Sequence, residues 1–237
     1  MGIIVFGGWL SAWFFLSGAN ERFAAWAYQS FIGQSAEAGM TVQNILIEGR
    51  EYTDADLLRA LINMQEGDPL LDFHPNEVQP LIEKISWIEK ADVARRLPDT
   101  IYVRLHERKP FALWQHEGKV VVIDHTGHIL TEEMRPIFKE LFLVTGDDAN
   151  EHAKEIIELL RTEPIILSES EAAMRVGERR WDLKLKNGML VHLPEKDLGY
   201  AFRRLADEQS ENDIFSRNIS TIDLREPDRL IVQTNVN

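Results

Sequence analysis

The chain opens with an apolar run that differs from everything after it. From Ile3 to Ala19 there are 17 residues without a charged side chain. As a helix rising about 1.5 Å per residue, this run is roughly 25 Å long, slightly short of the ~30 Å hydrocarbon core of a bilayer. The pattern predicts a transmembrane anchor over residues 1–20. A connector or interfacial helix is predicted over residues 21–39, with aromatic side chains suited to a membrane interface at Trp26, Tyr28 and Phe31.

Two other interpretations of the apolar run remain open. Ser17-Gly18-Ala19 fits the small-x-small cleavage site of a secretory signal peptide, although no Lys or Arg precedes the run and the run exceeds a usual signal core. A soluble core helix is disfavoured by the density of large apolar residues. Because no Lys or Arg precedes the run, the positive-inside rule gives no orientation from its N-terminal side.

Residues 40–108 carry the pattern of five elements in the order strand, helix, helix, strand, strand. Val42–Glu48 is rich in Val and Ile and ends at a glycine, which is typical of a strand. Two helices with apolar stripes follow, one with Thr53 as its predicted N-cap and one beginning at Pro75. The turn Leu97-Pro98-Asp99 then joins two predicted hairpin strands, Ile88–Arg96 and Thr100–Glu107.

Residues 109–237 mix short strands with amphipathic helices. Asp124-His125-Thr126-Gly127 predicts a type I turn, and Asn187-Gly188 predicts a type I′ hairpin turn. Two final strands are predicted at Thr221–Leu224 and Leu230–Thr234. The chain as a whole is therefore predicted to be α+β, with a larger mixed β domain whose helices cover one face.

Composition narrows the function classes. The chain has 39 acidic and 26 basic residues, a formal net charge of -13, and no cysteine. A surface this acidic repels phosphate backbones, which argues against nucleic-acid binding. The absence of cysteine excludes disulfides, thiolate catalysis and Cys-based zinc sites.

Candidate chemistry is sparse. His116, His125 and His128 are close in sequence but lack a metal-site spacing such as H-E-x-x-H, so solvated histidines are the better interpretation. Asp124 beside His125 resembles part of a hydrolase dyad. However, the side chains of adjacent turn residues point in different directions, and the chain has no G-x-S-x-G nucleophile motif. We therefore expect no catalytic residue, metal or cofactor. Core and inter-domain packing is expected for Trp87 and Trp114.

Several motifs occur in a characteristic order along the chain. The first region contains VQNILIEGR, GDPLLDF and ISWIEKADVARRLPDTIYVRLHERKPFALW, and the second contains VIDHTGHIL, VGERRWDLKLKNGMLVHLP and ISTIDLREPDRLIV. In sequence and order these motifs resemble the FtsQ/DivIB family of cell-division proteins. The resemblance implies a single transmembrane helix, then a POTRA domain over residues 40–108, and then an FtsQ-type β domain over residues 109–237.

The resemblance also implies a function. Members of this family are non-enzymatic scaffolds of the divisome, single-pass proteins of the bacterial inner membrane with their bulk in the periplasm, enriched at the division septum. The implied partners are FtsB and FtsL, with links to FtsW and FtsI. FtsB binding uses the last strand of the β domain as an open edge to which the partner adds a strand, and an unpaired edge does offer a row of N–H and C=O groups.

Site residues follow from the same resemblance. The recruiting edge falls on Leu230, Ile231, Val232, Gln233 and Thr234, and the loop beside it on Glu226, Pro227, Asp228 and Arg229. Arg180 falls where the family has a basic residue that pairs with an acidic group of FtsB. For Arg180 the alternative is an exposed basic residue before a buried strand position, and for the edge it is an internal, already paired strand. Enterobacterial members have aromatics near Glu226 and Thr234, which this chain lacks.

The sequence also leaves a second functional class open: the protein could be a POTRA-containing component of an envelope protein-transport or assembly system. Such proteins continue into a long series of weak alternating strands, whereas only about 130 residues follow the POTRA region here, with helices among them. A cell-division scaffold is therefore the favoured hypothesis.

Overall fold

The computed structural model of the protein describes residues 19–226 and 228–234. Nearly all of the apolar run from Ile3 to Ala19, and with it the predicted membrane anchor, lies outside the described residues, so the anchor stays a prediction. Among the helices of the described residues, none has the length and apolar character that crossing a membrane requires. The chain divides into two compact units, Met1–Glu107 and Arg108–Asn237.

Within its described residues, 19–107, the first unit contains three α-helices and a three-stranded sheet. In chain order the elements are α1 (Ala19–Glu37), β1 (Asn44–Glu48), α2 (Ala55–Ile62), a short 3-10 helix (Leu70–Asp72), α3 (Pro75–Ile82), β2 (Ile88–Arg96) and β3 (Thr100–Glu107). The strand order is β1-β3-β2, with β1 parallel and β2 antiparallel to β3. The predicted order of strand, helix, helix, strand, strand is confirmed.

The core of this unit forms where the helix stripes meet alternate residues of the sheet. Leu58 and Ile62 of α2 and Ile82 of α3 are at most 2% exposed and share one cluster with the buried β3 side chains Ile101 and Val103. Burying such a side chain contributes about 1.5–3 kcal/mol, so this contact holds both helices on the sheet.

A carboxylate from the end of β3 organises the loop before α2. Glu107 accepts hydrogen bonds from the backbone N–H groups of Glu51 (2.9 Å), Tyr52 (2.7 Å) and Thr53 (2.9 Å). The N-cap of α2 is Asp54, whose carboxylate accepts from the backbone N–H groups two and three residues later. The prediction of Thr53 as N-cap was therefore wrong by one residue, because the Asp54 carboxylate caps the helix while the Thr53 N–H bonds to the distant Glu107.

The second unit is built on a nine-stranded sheet. Its elements are β4 (Ala112–His116), β5 (Lys119–Ile123), β6 (Ile129–Thr131), a 3-10 helix (Pro136–Phe138), β7 (Leu143–Thr145), α4 (Ala149–Thr162), α5 (Pro164–Glu169), β8 (Ser170–Val176), β9 (Arg180–Leu185), β10 (Leu190–His192), α6 (Leu198–Asn212), a 3-10 helix (Ile214–Ser216), β11 (Ile219–Asp223) and β12 (Ile231–Thr234). The strand order is β12-β11-β10-β9-β8-β7-β4-β5-β6.

One face of this sheet carries the core. Strand pairing aligns a row of side chains that all point to the same face: Trp114, Val144, Ala173, Leu183, Val191 and Ile222. These residues share one buried cluster with residues of α4, α5 and α6, including Ile156, Ile166 and Phe202. All three helices therefore cover the same face of the sheet. On the other face, here called the polar face, strands β9–β11 carry mainly polar side chains such as Asp182, Lys184, His192 and Asp223, whereas β8 carries Ala172 and Met174 there.

Two hairpin turns show how local chemistry shapes the second unit. Gly127 donates to the Asp124 carbonyl (3.1 Å) and has φ +85°, so the predicted turn with Asp first and Gly fourth is present. At the other turn Gly188 has φ +86° and donates to the Leu185 carbonyl (2.9 Å), whereas Asn187 is not among the positive-φ residues. The type I′ prediction was therefore wrong, because that turn needs positive φ at both central residues.

Candidate functional site

The last two strands form an open border of the second sheet. β12 pairs antiparallel with β11, and in the described part of the chain no strand pairs with its other side. All four residues of β12 are exposed, with Ile231 at 52% and Val232 at 45%. An outer strand with exposed apolar side chains and unpaired main-chain groups is a template for pairing with another chain.

A side-chain bond shows which main-chain groups of β12 face outward. Ser220 lies at a bulge in β11, and its Oγ donates to the Gln233 carbonyl at 3.0 Å. That carbonyl therefore points towards β11. Since N–H and C=O groups along a strand alternate between its two sides, Ile231 also faces β11. The N–H and C=O groups of Val232 and Thr234 then point to the free side.

The side chains of β12 divide between the two faces of the sheet. Val232 is paired with the buried Ile222, so it lies on the helix-covered face, where Leu230 just before the strand packs against the core. Ile231 is paired with Asp223 and lies on the polar face. A strand added at this edge would therefore meet one exposed apolar side chain on each face.

On the polar face a row of carboxylate and imidazole side chains leads away from Ile231 at the edge. Register aligns Asp182 of β9, His192 of β10, Asp223 of β11 and Ile231 of β12. Asp182 is 5% exposed. Its Oδ2 lies 2.9 Å from His192 Nδ1 and its Oδ1 lies 3.8 Å from Arg180 Nε, although neither contact has hydrogen-bond geometry. The Arg180 guanidinium thus lies beside the Asp182 carboxylate on this face.

Arg225 lies at the start of the loop that leads to β12. Its Nε donates to both carboxylate oxygens of Asp223, at 2.9 and 3.0 Å, and its Nη2 donates to Oδ2 at 2.5 Å. This bidentate pairing lowers the pKa of Asp223 and raises the pKa of Arg225. The guanidinium is half exposed, so it remains accessible to an acidic group. The sequence does not single out Arg225, because only the strand register shows that it lies beside Asp223 and the other aligned side chains of the polar face.

The predicted site residues are brought together only in part. Asp228 and Arg229 are exposed, and the Arg229 N–H donates to the Glu226 carbonyl (3.3 Å), which folds the loop before β12. Pro227 lies outside the described residues. Arg180 is on β9, separated from β12 by β10 and β11, and three strand spacings amount to about 14 Å. A partner that contacts both must extend across the polar face.

The residues considered for catalysis have structural partners. Asp124 is 1% exposed, and its Oδ1 accepts from Thr126 N (2.8 Å), Thr126 Oγ1 (2.6 Å) and His128 N (3.0 Å), while Oδ2 accepts from Arg108 (2.8 Å). Burial raises the pKa of Asp124, but the bonds from Thr126 and Arg108 outweigh burial and hold that pKa below its ordinary value. The neighbouring His125 is exposed. This carboxylate therefore organises the turn that the sequence predicts.

His116, Trp114 and Trp87 make ring-stacking contacts. His116 stacks on Trp114 with 4.9 Å between ring centroids, and its Nδ1 lies 3.4 Å from Asp147. Trp114 is buried and donates to the Gly146 carbonyl at 2.8 Å, as expected of a core residue. Trp87 stacks on Tyr52 at 4.6 Å. Among the described residues, no group of three or more His, Asp or Glu side chains converges as metal ligands would.

The architecture defines a class of protein. A β-α-α-β-β unit is followed by a mixed sheet with helices on one face, and the last described strand borders that sheet. These features define a POTRA-containing protein with a second, larger β domain.

Comparisons with known proteins identify the family. The family model "POTRA domain, FtsQ-type" matches residues 40–108, and the model "Cell division protein FtsQ/DivIB, C-terminal" matches residues 112–225. The chain is 37% identical over 196 residues to Cell division protein FtsQ of Bradyrhizobium diazoefficiens, covering 83% of this chain and 57% of the relative. Against Cell division protein FtsQ of Rickettsia prowazekii it is 32% identical over 199 residues, covering 84% and 74%. The corresponding protein of Caulobacter vibrioides is 33% identical over 214 residues, with 90% and 70% covered. The chain belongs to the FtsQ/DivIB family of cell-division proteins.

Proposed function

We propose that this protein is a non-enzymatic scaffold of the bacterial divisome that recruits FtsB and FtsL by pairing a partner strand with β12. In this proposal it is a single-pass protein of the inner membrane, anchored by residues 1–20, with its bulk in the periplasm and enriched at the division septum. FtsW and FtsI are further partners in the same assembly. Family membership supports a role in cell division, and the exposed outer strand β12 is the observation that supports the mode of binding.

The chemistry of the edge fits strand addition. Main-chain hydrogen bonds to an added strand supply affinity, and alternate side-chain contacts supply the register. On this edge Val232 and Thr234 offer the outward N–H and C=O groups, while Ile231 and Val232 offer apolar contacts on opposite faces. Arg180 and the loop residues Glu226, Asp228 and Arg229 are the proposed polar contacts beside that strand.

Photo-crosslinking in dividing cells tests the proposal. A photoreactive phenylalanine analogue at Ile231 or Thr234 of the full-length protein should give a crosslink to FtsB. The matched control is Ile129, an exposed residue of β6 at the opposite border of the same sheet. Crosslinks to FtsB from Ile129 but not from β12 would refute the edge assignment.

Cellular localisation tests the role in cell division independently of the contact at β12. A fluorescent fusion of the full-length protein should concentrate at midcell in dividing cells and should bring FtsB there. Uniform envelope fluorescence, or FtsB at midcell without this protein, would refute the scaffold role whatever the crosslinks show.

A further inference from the structure

Helix α1 presents two different surfaces. Near its C-terminal end Ile32 and Ser35 are only 4% and 5% exposed, and the helix contacts the 3-10 helix Leu70–Asp72 within the first unit. The Met40 N–H donates to the Ser35 carbonyl (2.9 Å), which fixes the chain as it leaves the helix. This end of α1 is therefore docked on the POTRA unit.

The other surface, the aromatic face, consists of Phe23, Trp26 and Phe31. These side chains are 59%, 64% and 61% exposed, and the rings of the first two lie 5.8 Å apart. At about 100° per residue the three span roughly 140° of the helix, and Phe23 lies about 180° from the docked Ile32. Large apolar side chains gathered on one exposed face mark a surface that something else covers.

The charge pattern indicates what covers the aromatic face. Residues 23–36 contain no Asp, Glu, Lys or Arg, although the chain carries a formal charge of -13. Glu21 and Arg22, a pair of opposite charge in the first turn of the helix, separate this stretch from the uncharged run Ile3 to Ala19. Exposed Trp and Phe side chains on a neutral segment next to such a run are the composition found at the membrane–water interface.

We propose that the aromatic face of α1 lies in the headgroup layer of the bilayer and so holds the POTRA unit against the membrane surface. The proposal rests on the membrane location in the proposed function but concerns a separate contact. Phe31, the last residue of the aromatic face, adjoins the docked Ile32, so the end of α1 that contacts the POTRA unit also belongs to the inserted stretch. The POTRA unit is then held directly beside the membrane surface.

A fluorescence quenching experiment on the full chain tests this contact. The chain contains no cysteine, so a single introduced cysteine gives a unique labelling site. Ala27→Cys places an environment-sensitive dye between the three aromatics, and Gln29→Cys places it about 160° around the helix as the matched control. Each variant is reconstituted in phosphatidylcholine vesicles that contain a headgroup spin-labelled lipid.

We expect dye at position 27 to be quenched at least about threefold more than dye at position 29, and the triple change of Phe23, Trp26 and Phe31 to Ser to remove the difference. Equal quenching at both positions, in chain that floats with the vesicles, would overturn this inference and leave the anchor standing. Chain that does not float would overturn both. A difference seen only with anionic lipid would also count against it, because the aromatic face is uncharged.

Discussion

Proline substitutions along β12 test the direction of its main-chain groups. Val232→Pro removes an N–H that points to the free side of the sheet, while Gln233→Pro removes one that points to β11. Val232→Ala shortens the same side chain but keeps the N–H. The three variants therefore separate the partner-facing side of the strand from the sheet-facing side.

The expected magnitude follows from the number of outward groups. Val232 and Thr234 offer four main-chain groups, and at about 0.5–1.5 kcal/mol per bond a paired strand gains roughly 2–6 kcal/mol from them. Proline at 232 removes one bond and leaves a partner carbonyl unsatisfied, for a loss of about 2–4 kcal/mol. Since each 1.4 kcal/mol is tenfold, affinity for the FtsB periplasmic segment should fall at least about thirtyfold. Val232→Ala should cost only a few-fold.

The assay pairs a binding measurement with a structural one. Binding of the FtsB segment to the purified full-length protein gives the affinity, and amide hydrogen exchange of residues 219–223 reports whether β11 and β12 remain paired. We expect Val232→Pro to lose binding with unchanged exchange and Gln233→Pro to speed exchange. Full binding by Val232→Pro, or faster exchange in it, would show that the assigned direction is wrong.

Two further predictions concern the carboxylates that organise loops. Asp124→Asn removes the charge that Arg108 contacts at 2.8 Å in a site 1% exposed, so we expect the second unit to lose about 1.5–3 kcal/mol in a urea titration. Because the pKa of Asp124 is lowered on folding, its contribution is present above about pH 4 and is lost as pH falls through the lowered pKa. The variant should therefore show a shallower loss of stability in acid, and an unchanged acid slope would contradict this assignment. Glu107→Ala removes the acceptor of three backbone N–H groups, so the amides of residues 51–53 should exchange faster and the free energy of unfolding of the first unit should fall by about 2 kcal/mol. The control Glu89→Ala, at an exposed position of β2, should change neither quantity.

The element order of the first unit could be predicted because its signals are local. Apolar periodicity, the proline at the start of α3 and the turn at Leu97-Pro98-Asp99 each act within a few residues. The misses have long-range causes. Glu107 lies 54 residues from Thr53 in sequence, yet its carboxylate accepts the hydrogen bond of the Thr53 N–H. A prediction from neighbouring residues cannot include such a partner. Leu57 follows the helical pattern of its neighbours, yet it remains 46% exposed because the sheet covers a narrower stripe than the pattern implies.

The candidate site divides in the same way between sequence and structure. By itself the sequence determined that a strand lies at residues 231–234, one residue shorter than the predicted Leu230–Thr234, since consecutive Leu, Ile and Val favour a strand wherever it is placed. Only the tertiary structure decided that this strand borders the sheet, that Val232 and Thr234 direct their main-chain groups outward, and that two strands separate it from Arg180. The physical reason is that strand order and register are set by pairing between distant segments, while side-chain pattern is set within one segment.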